Sequence, residues 1–208
     1  MPDEPIQTVE AAAPPPVATP EIASQDRVIY IYYYDDIDPK RVNIIMGLVS
    51  QVIAQQKPTT LYFMFASRGG QVTAGVTLYN FLKSLPVKIV MHNIGAINSI
   101  ANVIFLAGEE RYASPHTTFL FHGVTSTLNG SLSLPQLNEI RDSIHKDHNT
   151  IAGIVCDNTK ITDPEIKKLF EQGETKDVQF ALEKGIIHEV KVAQVPQEGK
   201  FISININS

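Results

Sequence analysis

Three short stretches hold residue types that can carry chemistry: a serine, a glycine pair and a histidine. In NIGAINSIANVIFLAG, residues 93–108, Ser99 stands between a polar, Gly-containing segment and an apolar run. Serine is a preferred helix N-cap, and as a cap its hydroxyl only accepts a backbone N–H. The same place offers free N–H groups and the positive end of a helix dipole, which suits a nucleophile whose attack creates an oxyanion. On local grounds both readings stay open. Gly69 and Gly70, in SRGGQVTAG, fit a tight turn, and without Cβ atoms they let a substrate carbonyl approach exposed N–H groups. The pair is too short for a dinucleotide fingerprint and the P-loop lysine is absent, so a phosphate site is not expected. His122 ends the apolar strand TTFLF, either as a packed or exposed bystander or as the one histidine placed where sheet ends collect functional groups.

Other histidines carry less. His145 and His148 stand three apart on a helical pattern, but no carboxylate or cysteine framework completes a metal site beside them, and neither metal nor cofactor is expected. His92, His116 and His188 stand in no visible constellation.

The elements that position these groups follow from periodicity. DRVIYIYYY and TLYFMFAS read as strands, the second apolar enough to be buried on both faces of a parallel sheet. Between them Val42, Ile45, Val49 and Val52 or Ile53 recur at helical spacing. VTAGVTLYNFLKSL is a second helix, stopped by Pro86 before the strand VKIVMHN, and IANVIFLAG is a third with Gly108 as its stop. RYAS and TTFLFHG are short strands. This alternation argues for crossover units on a mainly parallel sheet. A longer helix follows, with Leu137, Ile140, Ile144, Ile151 and Ile154 forming a seam that wants a partner. TDPEIKKLFEQG carries a capping box, Thr162 with Glu165, and Gly173 at its end. DVQFALEKG has Asp177 as N-cap, IIHEVKVAQV returns as a strand, and KFISININS alternates like an edge strand.

Composition narrows the function classes. With 208 residues, 43% hydrophobic, the chain can bury a full α/β core. A net charge of −5 supplies no broad basic field, so nucleic acid is not an expected partner. The single cysteine, Cys156, rules out an intrachain disulfide and suits a reducing compartment, bacterial cytoplasm or an organelle matrix. Residues 1–25 are rich in Pro and Ala, lack the pattern of a secretory signal, and read as an arm outside the core. No apolar run approaches the roughly 20 residues that cross a bilayer, so no membrane association is expected.

Taken in order, DRVIYI, FASRGGQVTAGVTLYNFLKS, IGAINSIANVIFLAG, RYASPHTTFLFHG and ALEKGIIHEV resemble the Clp protease proteolytic-subunit family over about residues 26–191. The resemblance implies a ClpP/crotonase-like spiral of β-β-α units in one domain, residues 26–192, with a projecting handle helix near 134–157 and a C-terminal tail, 193–208. It implies that Ser99 is the nucleophile, His122 its base, and the N–H groups of Gly70 and Ile100 the oxyanion donors, with Gly69 supporting the turn. The family's catalytic aspartate falls on Gly173, and Glu174, one residue on, is the stand-in for the third member. Asn98 and Asn102 replace small residues of the family pattern, and Arg68 replaces a proline.

The function so implied is a serine endopeptidase subunit of a self-compartmentalising protease. It would form rings with copies of itself or with related chains, cleave unfolded polypeptide through an acyl-enzyme, and receive substrate from a separate AAA+ ATP-driven unfoldase. Two alternatives accompany it: a weakly active or inactive ring subunit that shapes the chamber, and an acyl-CoA enzyme on the same spiral, which would have no use for a Ser and His pair at these positions.

Overall fold

Strand β1 (Val28–Tyr34) and strand β2 (Thr60–Ser67) pair in parallel, residue for residue from Val28 opposite Thr60 to Tyr34 opposite Ala66. The computed structural model that shows this describes residues 27–127 and 130–203. The arm expected at 1–25 and the final five residues of the tail lie outside the described residues. Helix α1 (Pro39–Gln56) connects β1 to β2. Asp38 caps it by accepting the Arg41 N–H at 2.9 Å, Pro39 presets its first turn, and Lys57 ends it in the left-handed region. It buries Val42, Ile45, Val49 and Val52, each worth about 1.5–3 kcal/mol of apolar transfer.

Helix α2 (Val72–Lys83) then crosses to β3 (Lys88–Asn98), which is parallel to β2. Beyond β3 lie α3 (Ala101–Phe105), β4 (Glu110–Ala113), β5 (Thr118–Leu120), α4 (Leu134–Asn158), α5 (Asp163–Gln172), β6 (Thr175–Lys176), α6 (Val178–Glu183), β7 (Glu189–Val190) and β8 (Lys200–Ser203). The sheet runs β6-β5-β3-β2-β1-β8, with β4 bridging β3 to β7. Every pairing is parallel except β5 with β6. This is a mixed α/β fold with a mostly parallel sheet, as the alternation of periods requires.

β3 differs from its sequence reading in a way that matters. The polar stretch NIGAIN reads as a turn after Asn93, yet the strand continues to Asn98 by changing neighbours. Val90–Asn93 pair with β4, whereas Ala96–Asn98 pair with β5, and the register against β2 shifts between Phe65 and Ser67. Asn93, fully buried at the fork, makes the change possible: its Nδ2 donates to the Thr118 carbonyl at 3.1 Å and its Oδ1 accepts the Gly95 N–H at 2.9 Å. The strand expected over IIHEVKVAQV pairs only at Glu189–Val190.

Arg111 knits the far end of the body together. Its guanidinium donates to the carbonyls of Ile186 (2.7 Å), Gly108 (2.9 Å), Gly185 (3.0 Å) and Asn158 (3.1 Å). These carbonyls close α3, α4 and α6, where the negative ends of helices collect. On α4, by contrast, Leu134 and Leu137 are exposed, and only Ile151, Ala152 and Val155 are buried. The first turns of this helix therefore stand off the body.

Candidate active site

Ser99 is not a helix cap. It sits one residue earlier, between β3 and α3, with φ +58°, and Ile100 holds the N-cap position without any side-chain cap bond. A serine in the left-handed region costs about 1–3 kcal/mol and persists only where neighbours enforce it. Here they do. The Ser99 N–H donates to the Leu120 carbonyl at 2.8 Å, and the buried Asn102 side chain holds both the Ser99 and Leu120 carbonyls. Ser99 Oγ has no hydrogen-bond partner among the described residues, so the hydroxyl is not used up in holding the fold.

The glycine turn packs directly on this elbow. A Cβ on Gly69, at φ +90°, would lie 2.6 Å from the Asn98 carbonyl oxygen and 2.8 Å from Ser99 Cβ, and one on Gly70 would lie 2.0 Å from the Ile37 carbonyl oxygen. Only glycine admits this approach. Ile37 N–H donates to the Gly69 carbonyl and Gln71 N–H to the Ile37 carbonyl, both at 2.8 Å, which skips the Gly70 N–H. The N–H groups of Gly70 and Ile100 thus donate to no acceptor among the described residues. Gly75 on α2 completes the packing: a Cβ there would lie 2.3 Å from Ile100 Cγ1, so its absence seats Ile100 against the helix.

His122 follows β5. Its Nδ1 lies 2.7 Å from the Gly123 carbonyl oxygen. A carbonyl only accepts, so Nδ1 carries a proton, and in the neutral ring this leaves the lone pair on Nε2. Ser99, His122 and Gly70 line one cleft of about 460 Å³, together with Arg68 and Asp147. Arg68 reaches out of it to a two-pronged pair with Asp36, at 3.0 and 2.9 Å.

The structure does not bring Glu174 to this cleft. Its carboxylate is exposed and pairs with Lys176 Nζ at 2.7 Å, an interaction that lowers its pKa. The count back to Gly173 is nonetheless geometrically apt, because a Cβ on Gly173 would lie 3.8 Å from His122 Cβ. The position that faces the histidine has no side chain. Asp177 is a cap, accepting the Phe180 N–H at 2.9 Å.

Four participants escape a reading of the sequence. Asp147 falls among the polar spacers of α4, and nothing in its local pattern places it in the cleft that it lines. Gly75 looks like a helical interruption, and Asn102 is marked only as a lone polar residue in an apolar run that replaces a small residue of the family pattern. His148 looks half of a metal pair, but its Nε2 accepts the Val124 N–H at 2.7 Å.

Fold and site together describe an α/β protein whose neighbouring strand ends present a serine, a histidine and two free N–H groups to one cleft. The chain belongs to the Clp protease family, whose family model matches residues 21–194. It is 25% identical to the ATP-dependent Clp protease proteolytic subunit 2 of Thermobifida fusca (strain YX) over 162 residues, 77% of this chain and 79% of that protein. It is 22% identical to the ATP-dependent Clp protease proteolytic subunit of Chlorella vulgaris over 170 residues, 81% and 83% of the two chains. A third relative, the proteolytic subunit of Bigelowiella natans, is 28% identical over 111 residues, 52% of this chain, and the match spans about half of that relative's length, 56%. Among the described residues no helix is long and apolar enough to cross a membrane.

Proposed function

We propose that the chain is a serine endopeptidase subunit of a self-compartmentalising protease. The observation that carries this reading is the strained Ser99 elbow in one cleft with His122, its Oγ and the nearby N–H groups having no hydrogen-bond partner among the described residues. In the proposed reaction His122 Nε2 takes the Ser99 Oγ proton as Oγ attacks a peptide carbonyl carbon. The oxygen's developing charge is held by the Gly70 and Ile100 N–H groups, each such donor being worth about 3 kcal/mol of barrier. Collapse breaks the C–N bond, the amine leaves with the proton held by His122, and water then repeats the sequence in reverse to free Ser99.

Assembly into rings, of this chain or mixed, belongs to the same proposal; the exposed Leu134 and Leu137 on α4 support it. Substrate would be extended polypeptide fed by a separate ATP-driven unfoldase.

One observation favours a second reading, that of a weakly active or inactive ring subunit: among the described residues no carboxylate is bonded to His122, and Gly173 stands where one would fit. A fluorophosphonate probe separates the two. Labelling of wild type but not of Ser99→Ala supports the peptidase; wild type left unlabelled under conditions where an active relative reacts assigns the chain to the second reading.

A further inference from the structure

His122 has no acid partner among the described residues, yet its ring is held. The Gly123 carbonyl that accepts from Nδ1 belongs to a short strap, residues 122–124, and two neighbours fix that strap. The Gly123 N–H donates to the Phe170 carbonyl of α5 at 3.0 Å, and the Val124 N–H donates to His148 Nε2 of α4 at 2.7 Å. The His148 ring stacks on Phe170, with centroids 5.0 Å apart and planes 18° apart, so both anchors are themselves packed together. A Cβ on Gly123 would stand 3.3 Å from His148 Nε2; the strap lies flat against the ring.

We propose that His148 is a positioning residue for His122, holding the Gly123 carbonyl where it fixes the base in its Nδ1–H tautomer, the task that a carboxylate performs in a complete triad. The orientation of each hydrogen bond follows from its fixed partner. Val124 N–H only donates, so His148 Nε2 must hold a lone pair and its own proton sits on Nδ1. Burial, and then the neighbouring His145, lower the His148 pKa against the opposing effect of Asp147, which keeps the ring in the neutral form that accepts. Replacing the carboxylate by a carbonyl keeps tautomer and direction and gives up the negative charge that would steady the imidazolium. The inference rests on the reading of His122 as general base.

Solid-state NMR of protein labelled with 15N-histidine, with His122→Gln to identify its signal, reads the proton's position whether or not the chain cleaves anything. The expected wild-type result is Nδ1–H at His122. His148→Phe keeps a ring against Phe170 but offers no acceptor; it should move the His122 signal towards Nε2–H and slow phosphonate labelling of Ser99 about 10- to 100-fold. His148→Gln, whose Oε1 can take the place of Nε2, should restore both. An Nε2–H signal in wild type overturns the proposal, and this holds even where His148→Phe does not fold. So does a His122 signal that His148→Phe leaves unmoved. Wild type that is never labelled, but whose His122 tautomer depends on His148, sinks the peptidase reading and leaves the positioning role standing.

Discussion

Asn102 donates its side-chain amide to the Ser99 carbonyl at 3.0 Å, and with its second proton it reaches the Leu120 carbonyl at 2.9 Å. Leu120 lies two residues before His122, so one buried side chain sets the spacing between the serine and the strand that carries the histidine. Its Oδ1 is buried without a partner, which offsets part of what the two bonds contribute. Asn102→Ala is therefore expected to lower stability by only about 1 kcal/mol, because both carbonyls keep a backbone donor. Phosphonate labelling should fall more, about tenfold, as the two groups lose alignment. Denaturant melts and labelling rates measured together check this; labelling that tracks stability alone would deny Asn102 a role in alignment.

Glu174→Gln should leave labelling within about twofold of wild type, since the carboxylate is exposed and bonded to Lys176. Gly173→Asp is the informative change. It places a carboxylate beside His122 in a left-handed position that Asp tolerates better than most residues. The added charge should steady the imidazolium and raise the labelling rate about 10- to 100-fold. A decrease, with the fold intact by circular dichroism, would mean that the His122 ring cannot accept an acid from that side.

Arg111→Met removes a guanidinium that four carbonyls share at the closing turns of three helices. The Ile186 and Gly108 carbonyls would be left buried and unpaired and the other two partly so, for a loss of about 2–4 kcal/mol read from urea unfolding. Because none of them lines the Ser99 cleft, labelling per folded molecule should stay unchanged.

His92 is fully buried, with Tyr62 Oη 2.5 Å from Nδ1 and with Ser114 Oγ and the Lys191 carbonyl at 3.1 and 3.0 Å from Nε2. Burial holds its pKa below the ordinary 6.5, although the Lys191 carbonyl pulls the other way. The unfolded chain then binds a proton that the folded chain refuses. Stability from this residue is complete above 6.5 and is lost as pH falls from there through the lower folded value. Melting temperature should drop between about pH 7 and pH 5, and His92→Gln should flatten that slope. An unaltered slope would assign the proton uptake to other groups, His148 and His188 among them, whose pKa values are lowered in the same direction.

Local chemistry that repeats, or that ends an element, was legible in the sequence. The period of Val42, Ile45 and Val49 named the buried face of α1, with Val52 rather than Ile53 completing it, and Thr162 with Glu165 and Asp177 with Phe180 are the caps expected of those residue types. Ser99, His122 and Gly70 were legible as candidates, and they share a cleft. What could not be read depends on partners far along the chain. NIGAIN looks like a turn because its polar residues are spent at a fork between β4 and β5. Ser99 looks like a cap because nothing in its neighbours predicts a positive φ; the strain comes from Leu120 and the glycine turn. His92 looks isolated because its hydrogen-bond partners lie 22, 30 and 99 residues away.

The fork in β3 gives the nucleophile its own ladder. Lys88–Asn93 belong to the core through β2 and β4, while Ala96–Asn98 answer to β5. Because Ile97 still pairs with Ser67 of β2, and Ile97 and Phe119 are both fully buried, this ladder is anchored in the core, and Ser99 and His122 leave neighbouring strands from one fixed base.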